Sequence, residues 1–485
     1  MSAGTVPELE PIGVLGGPET LPDVRTLDIP PRLRELAHRF ESLCANAVDP
    51  LEVAAGLEAD GLSDQAVKAR YGCPDVFALA EELFRLVPRA PAEPAPLPEV
   101  WAANPKLHLL RGVLFALPGL GYTAATPLLV RPAALAVLVG SLVLSWTMSQ
   151  GLSYLGYVRL GLGRADAAYS VLRAGLFFCG TLVALASAGL AWFSDAGWSV
   201  LALGIGQGIY LLAATVLLVR GAELLLLLAL APAVLAGGLH LLGGHRFLPH
   251  WAELLGLIGS VLLTVGFAVW RTRTGKPVRA KATPNWTELR NALPHALFGL
   301  CAAGLLALPV VWAVLPSAPD IPGAALAALP VSLSMGFAEW CLFGYRRRMG
   351  RLLRESTTLA SFALRSRFVL TGVLTRYLIA AAALCAVVLF TVPGAIPAAV
   401  PTYTAYLALG GALFLALLVQ ALGLNTIALI ACGAALAVEV AFTLTGGALR
   451  WPLGTVWVQL AVGLALLFVL YCHAALSLGS AVRHR

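Results

Sequence analysis

The stretch YVRLGLGRADAAYSVLRAGLFF occupies residues 157–178. It carries Arg159, Arg164, Asp166 and Arg173, lies between two apolar blocks and turns apolar again from Leu176. Taken alone it fits a catalytic loop, a basic patch for nucleic acid or a connection at a membrane surface. Its surroundings decide between these. Hydrophobic residues make up 59% of the 485 and charged residues 12%, against about 25% charged in ordinary soluble domains, and mean hydropathy is +0.82. This is the composition of a polytopic membrane protein. A net charge of +7 then reports loops facing an anionic cytoplasmic leaflet rather than nucleic acid.

A helix needs about 20 apolar residues to cross the hydrocarbon. From residue 108 onward twelve such segments can be placed, with cores near 112–130, 133–156, 168–192, 198–219, 222–243, 251–270, 290–315, 323–345, 369–391, 400–420, 424–446 and 453–478. Positive charge tests the placement. With the N-terminus inside, 30 of the 33 lysines and arginines fall on or near the cytoplasmic side, and only Arg131, Arg246 and Arg450 fall elsewhere. The expectation is a multi-pass protein of a bacterial inner membrane with both termini cytoplasmic. The first thirty residues hold acids and prolines without a basic-then-apolar run, so no cleavable signal peptide is expected.

The longest basic connection, RTRTGKPVRAK (271–281), divides the spans six and six. LRGVLFALPGLGYTAATPLLV (110–130) lines up with LRNALPHALFGLCAAGLLALPVV (289–311), each opening Leu-Arg and ending in a late proline. Span two ends in SYLGYVRLGLGR and span eight in CLFGYRRRMGR; VLRAGL or VLTRYL follows. Two copies of a six-helix unit are therefore expected, 108–270 and 289–485, joined by a basic linker at 271–288. The opening stretch becomes the cytoplasmic elbow between spans two and three. Arg159, Arg164 and Asp166 hold it in the interface; Arg346, Arg347, Arg348 and Arg351 do the same in the second copy.

Ahead of the spans, residues 1–30 are rich in proline, glycine and acids and read as a disordered tail. Helical spacing starts at Leu33, Leu36, Phe40 and Leu43, and shorter runs follow at 51–57, 66–71 and 76–86. These predict a small cytoplasmic helical bundle over 31–90, with Ser63 as an N-cap and Gly72 as a C-cap. GLSDQAVKARYG (61–72) has a helix-turn-helix flavour, yet residues 31–90 hold ten acids against seven bases. Phosphate binding needs the opposite balance, so a docking module for a protein partner is expected and nucleic acid is not. RAPAEPAPLPEV then forms part of a Pro-rich linker, 91–107.

On the residues LGLGRADAAYSVLRAGLFF (160–178), the chain resembles the multidrug, oligosaccharidyl-lipid and polysaccharide exporter superfamily. The elbow of that group shows a Leu-Gly-x-Gly-Asp-like element, then Ala-Ala, then a cationic re-entry into helix three. Asp166 stands two residues later than the strict pattern, and the second elbow lacks the aspartate. The resemblance implies an all-α fold of six plus six helices with kinked first and seventh helices. It also implies a transporter or flippase rather than an enzyme.

Motifs for cofactor chemistry are absent. RTGKPV (273–278) is not a phosphate loop, GIGQG (204–208) lacks the strand that a dinucleotide site needs, and neither G-x-S-x-G nor H-E-x-x-H occurs. The glycines of GIGQG read as close helix packing. The eight cysteines are scattered, so neither a disulfide framework nor a metal site is expected. Ionisable groups within spans are the functional candidates. Glu439 lies deep in span eleven and Glu339 in the inner third of span eight, each a candidate proton carrier or a packed carboxyl group. Arg173, Arg376 and His295 are candidates for a cationic lining suited to a lipid-linked diphosphate, against snorkelling to the interface. His240, His245 and His250 read as a solvated outer loop. Pro118, Pro127, Pro294 and Pro309 are expected to kink spans one and seven. The leading expectation is a flippase for an amphiphilic anionic substrate such as a lipid-linked saccharide. The alternatives are a drug or solute antiporter and a non-transporting scaffold.

Overall fold

The computed structural model describes residues 30–87, 105–123, 132–243, 247–273, 283–312, 324–356, 358–391, 396–449 and 454–477. The described residues contain helices and no strands. Residues 1–29 of the tail expected over 1–30, most of the Pro-rich linker, the centre of the basic linker and Pro127 lie outside them. Two compact units are present, divided at Val100.

The first unit is a bundle of α1 (Pro31–Arg39), α2 (Glu41–Asn46), α3 (Pro50–Ala59), α4 (Asp64–Tyr71) and α5 (Val76–Leu86). Asp49 and Asp75 cap α3 and α5 by accepting from Leu51 N at 2.9 Å and Ala78 N at 2.7 Å, which satisfies donors that a helix start leaves open. Gly72 ends α4 with φ 76°, a conformation that glycine adopts without steric cost. Leu57, Val67, Leu79 and Leu83 form its core.

Twelve helices are present among the described residues of the second unit. They are α6 (Pro105–Thr123), α7 (Pro132–Gly161), α8 (Ala165–Phe193), α9 (Trp198–Val219), α10 (Glu223–Gly243), α11 (His250–Arg271), α12 (Trp286–Trp312), α13 (Ala324–Glu355), α14 (Leu359–Thr391), α15 (Ile396–Ala421), α16 (Asn425–Leu449) and α17 (Thr455–Ser477). Ten are long and apolar enough to cross a membrane. The other two are α6, whose apolar part is the shorter Leu109–Tyr122, and α13, whose last turns are charged. The protein is a multi-pass, all-α membrane protein. Exposed Phe177, Phe178, Leu185, Leu228 and Leu262 give the helices apolar outer surfaces suited to lipid.

Helix packing repeats between the halves. In α6–α11 the first helix packs on the fifth, the second on the third and fourth, the third on the fourth, and the sixth on the fourth and fifth; α12–α17 show the same six pairings. Each half has its own apolar core, one around Leu172, Leu212, Leu217 and Leu226 and the other around Leu305, Phe362, Leu415 and Leu470. The turns between fourth and fifth helices also match, with Gly221 at φ 63° and Gly423 at φ 83°. The halves meet chiefly where α6 packs on α13 and α7 on α12. Small residues permit this approach: a Cβ on Gly112 would stand 3.5 Å from Gly336 Cα, and one on Gly151 would stand 3.4 Å from Ala296 Cβ.

Two local expectations are corrected. Arg346, Arg347, Arg348 and Arg351 sit in the last turns of α13 rather than in a connection, because arginine, leucine and methionine are good helix formers and carry the helix past its apolar part. Arg159 is likewise within α7. His240 and His250 lie on helices α10 and α11 rather than in a solvated loop, and they meet a carboxylate. Glu253, fully buried, is reached by His240 Nδ1 at 2.8 Å and His250 Nδ1 at 3.4 Å. His245 is outside the described residues.

Candidate functional site

The seam between the halves carries charge. Arg111 projects from α6, one residue before the Gly112 approach to α13. Its Nε and Nη2 donate to Glu223 Oε1 at 3.0 and 2.7 Å, and its Nη1 donates to Glu339 of α13. Glu223 is the first residue of α10, placed by the Gly221 turn, and is buried. One guanidinium is thus set between two carboxylates, one from each half, with Tyr157 within electrostatic range. A second ion pair crosses the other contact. Buried Arg159 of α7 donates from Nη2 to Glu288 Oε2 at 2.9 Å and from Nε to Oε1 at 3.2 Å; its Nη1 reaches Ala167 O at 3.0 Å. Glu288 is held in turn by a reciprocal cap at the start of α12. It accepts from Asn285 N at 2.9 Å, and its own N–H donates to Asn285 Oδ1 at 2.7 Å, the arrangement that satisfies two helix-start donors at once.

His295 completes this side of the seam. Its ring stacks on Tyr154 of the opposite half, with centroids 4.3 Å apart, and its Nε2 lies 3.2 Å from Asn425 Nδ2 at the start of α16. An imidazole accepting there is neutral.

Each half also has a buried polar cluster. In the first, Tyr122 donates to Gln207, and Gln207 Nε2 reaches Leu138 O at 2.9 Å and Ser141 Oγ at 3.2 Å. Gly208 brings α9 so close to α8 and α7 that a Cβ there would stand 2.3 Å from Val183 Cγ1 and 2.8 Å from Ser145 Oγ. In the second, Glu439 of α16 is 4% exposed, and its Oε1 has no hydrogen-bond partner among the described residues. Tyr406 of α15 lies close enough to feel its charge and donates to Leu306 O at 3.0 Å. Gln459 of α17 stands beside Tyr406 and is buried. A buried carboxylate with an open oxygen holds a proton or a cation, since burying the bare charge is expensive.

The structure therefore brings Glu339, Arg159 and His295 to the seam and Glu439 to an interior polar cluster. Arg173 is half-buried on α8, and Arg376 is exposed on α14. Arg164 and Asp166 sit exposed at the start of α8. Pro118, Pro294 and Pro309 lie inside α6 and α12. Sequence reasoning missed Arg111, Glu223 and Glu288. Arg111 stood out only as a basic residue at the edge of span one. The available signal was an acid at the mouth of each of two spans, Glu223 and Glu288. Among the described residues no group of three or more metal-binding side chains is poised to hold a metal ion.

No protein-family model matches the chain, and no curated protein matches it in sequence. Solved structures show a distant likeness to it. A MOP superfamily transporter from Pyrococcus furiosus is 15% identical over 79% of this chain and 98% of its own, with a TM-score of 0.46. An outward-facing multidrug resistance MATE family transporter of the same superfamily is 15% identical over 78% of this chain and 96% of its own, with a TM-score of 0.48. For an inward-facing one the figures are 16%, 79%, 97% and 0.42. Each is a distant likeness of helical arrangement and assigns nothing to the residues of this chain.

Proposed function

We propose that the protein is a membrane transporter whose two six-helix halves alternate about the seam, with the basic helix ends facing the cytoplasm of a bacterial inner membrane. The observation that carries this reading is the ion-paired seam. Arg111 to Glu339 and Arg159 to Glu288 join the halves at both of their main helix contacts. Buried ion pairs contribute little net stability compared with apolar packing. A seam meant only to stay shut gains little from them, whereas one that parts and admits water loses little when charged groups are rehydrated.

The charges favour solute antiport over movement of an anionic lipid-linked saccharide. The seam arginines are engaged by carboxylates, and Arg376 lies on an exposed face, so the guanidinium lining that a diphosphate needs is largely taken up. A cationic or neutral amphiphile fits the balance better. Glu439 is the coupling group in this reading, exchanging its proton or cation as the halves move. The saccharide reading leans on the elbow motif and on Arg173, which makes no ion pair among the described residues. The head serves as a docking module for a protein partner.

The test is counter-transport of an organic cation dye in proteoliposomes under an imposed pH gradient, comparing the native protein with Glu439→Gln at equal incorporation. Gradient-driven movement that falls to the protein-free background in the variant is expected. Full transport by the variant would remove Glu439 from the coupling role. Dye transport that is absent while a lipid-linked saccharide is translocated would reverse the substrate assignment. If neither moves and single cysteines introduced along α6 and α12 are labelled from one side only, the scaffold reading replaces transport.

A further inference from the structure

α10 begins at the seam with Glu223 and is interrupted part-way along. Pro232 lies inside it; proline has no N–H to give to Leu228 O and crowds that carbonyl, so the helix ladder is weakest there. The next N–H, of Ala233, donates to Ser260 Oγ of α11 at 2.9 Å. α11 fits closely against the break: a Cβ on Gly256 would stand 2.9 Å from Pro232 O and 3.0 Å from Ala236 Cβ. Beyond the break, the segment 233–243 is fastened to α11 near its tip. There fully buried Glu253 lies 2.8 Å from His240 Nδ1 and 3.4 Å from His250 Nδ1. The second half of the membrane unit has neither part. α16 contains no proline and no histidine, and α17 contains no acid.

Burial makes the charge state of this contact decisive. A carboxylate cut off from water is costly unless its charge is balanced. Imidazole is the side chain that gains or loses a proton between about pH 5 and 8. The His240 and His250 side chains are 22% and 39% exposed, so protons reach them from water. One proton on the two rings balances Glu253. Without it the carboxylate stays buried against neutral rings, and lifting 233–243 away from α11 returns it to water.

The helices packed on this pair bring few other titratable groups to this end. On α6 it is Tyr122, which donates to Gln207, and on α9 it is Tyr210, midway along and buried. The remaining charged groups of these four helices, Lys106, His108, Arg111, Glu223 and Arg271, lie at the other end. The connection between α10 and α11 adds His245 and Arg246, and arginine keeps its charge throughout this range.

We propose that Glu253, His240 and His250 form a proton-binding latch that closes 233–243 on α11, with Pro232 as the hinge. The closed state holds the proton more tightly than the open one, so acid closes the latch and rising pH releases it. In the orientation proposed above the latch faces the outside; the latch itself depends neither on that orientation nor on transport.

Hydrogen–deuterium exchange of the full-length protein in detergent, followed by mass spectrometry between about pH 5.5 and 8.5 and corrected for the intrinsic rate, tests the latch. In the native protein, protection of 233–243 falls about tenfold as pH rises, while that of 223–231 changes less. Glu253→Gln removes the charge that the proton balances, and protection of 233–243 in it no longer follows pH. His245→Gln keeps the native response. The latch is overturned by native protection that is flat or rises with pH, by a fall shared equally along α10, or by a response that persists in Glu253→Gln. A response lost in His245→Gln overturns it as well. Should Glu253→Gln not fold, His240→Gln takes its place, and an unchanged response there overturns the latch.

Discussion

The two halves of the membrane unit pack their helices in the same six pairings, yet place different chemistry at corresponding points. The fifth helix of each begins just after a left-handed glycine, at Glu223 in one half and at Asn425 in the other. Glu223 meets a guanidinium, Arg111; Asn425 meets an imidazole, His295. The elbows diverge too. The first spends its buried arginine across the seam, and the second leaves Arg347, Arg351 and Arg354 exposed. Apolar packing tolerates many sequences of about the right volume, so it maintains the fold twice over. Ion pairs need particular atoms at particular heights, and there the halves have parted.

Stability measurements break or sharpen that comparison, each by thermal unfolding in one detergent. Arg111→Ala removes the guanidinium that buried Glu223 pairs with, and removing one partner of a buried pair costs about 3 to 5 kcal/mol. At the corresponding neutral contact, Asn425→Ala loses one hydrogen bond, about 1 kcal/mol. Equal losses would mean that the charged and neutral contacts are interchangeable. Arg159→Gln forfeits charge-assisted bonds to Glu288, about 2 to 3 kcal/mol, while exposed Arg164→Gln stays within about 0.5 kcal/mol. A large effect at Arg164 would show that the elbow is held by its outer charges instead.

The smallest contrast is expected between two glycines at matching depth on the fourth helices. A Cβ at Gly208 would stand 2.3 Å from Val183 Cγ1, whereas one at Gly410 finds its nearest neighbour, Tyr377 Oη, at 3.2 Å. Gly208→Ala is expected to cost about 1 to 2 kcal/mol by overpacking, and Gly410→Ala less. The reverse order would mean that the second half is the more tightly closed.

Much of the fold was legible because it is written in local runs. Apolar length shows a helix that enters a membrane, and the Gly72 signal marks the end of a helix in the head. The repeat showed in the Leu-Arg openings at 110 and 289 and in the paired elbow motifs. The deep carboxylate Glu439 was visible because a charge inside an apolar run is rare. Its neighbour Tyr406, and Gln459 beside that tyrosine, were not, since they come from two other helices.

The sequence by itself determined a membrane-spanning helical protein with a separate small helical head, because hydrophobic length and periodicity act within a window of neighbouring residues. Only the tertiary structure decided that Arg111 stands between Glu223 and Glu339, and that His240 and His250 close on Glu253. The physical reason is that such pairings depend on how far each helix is rotated and at what depth it sits. Those quantities are set by the packing of all the helices together and leave no mark in any one stretch of chain.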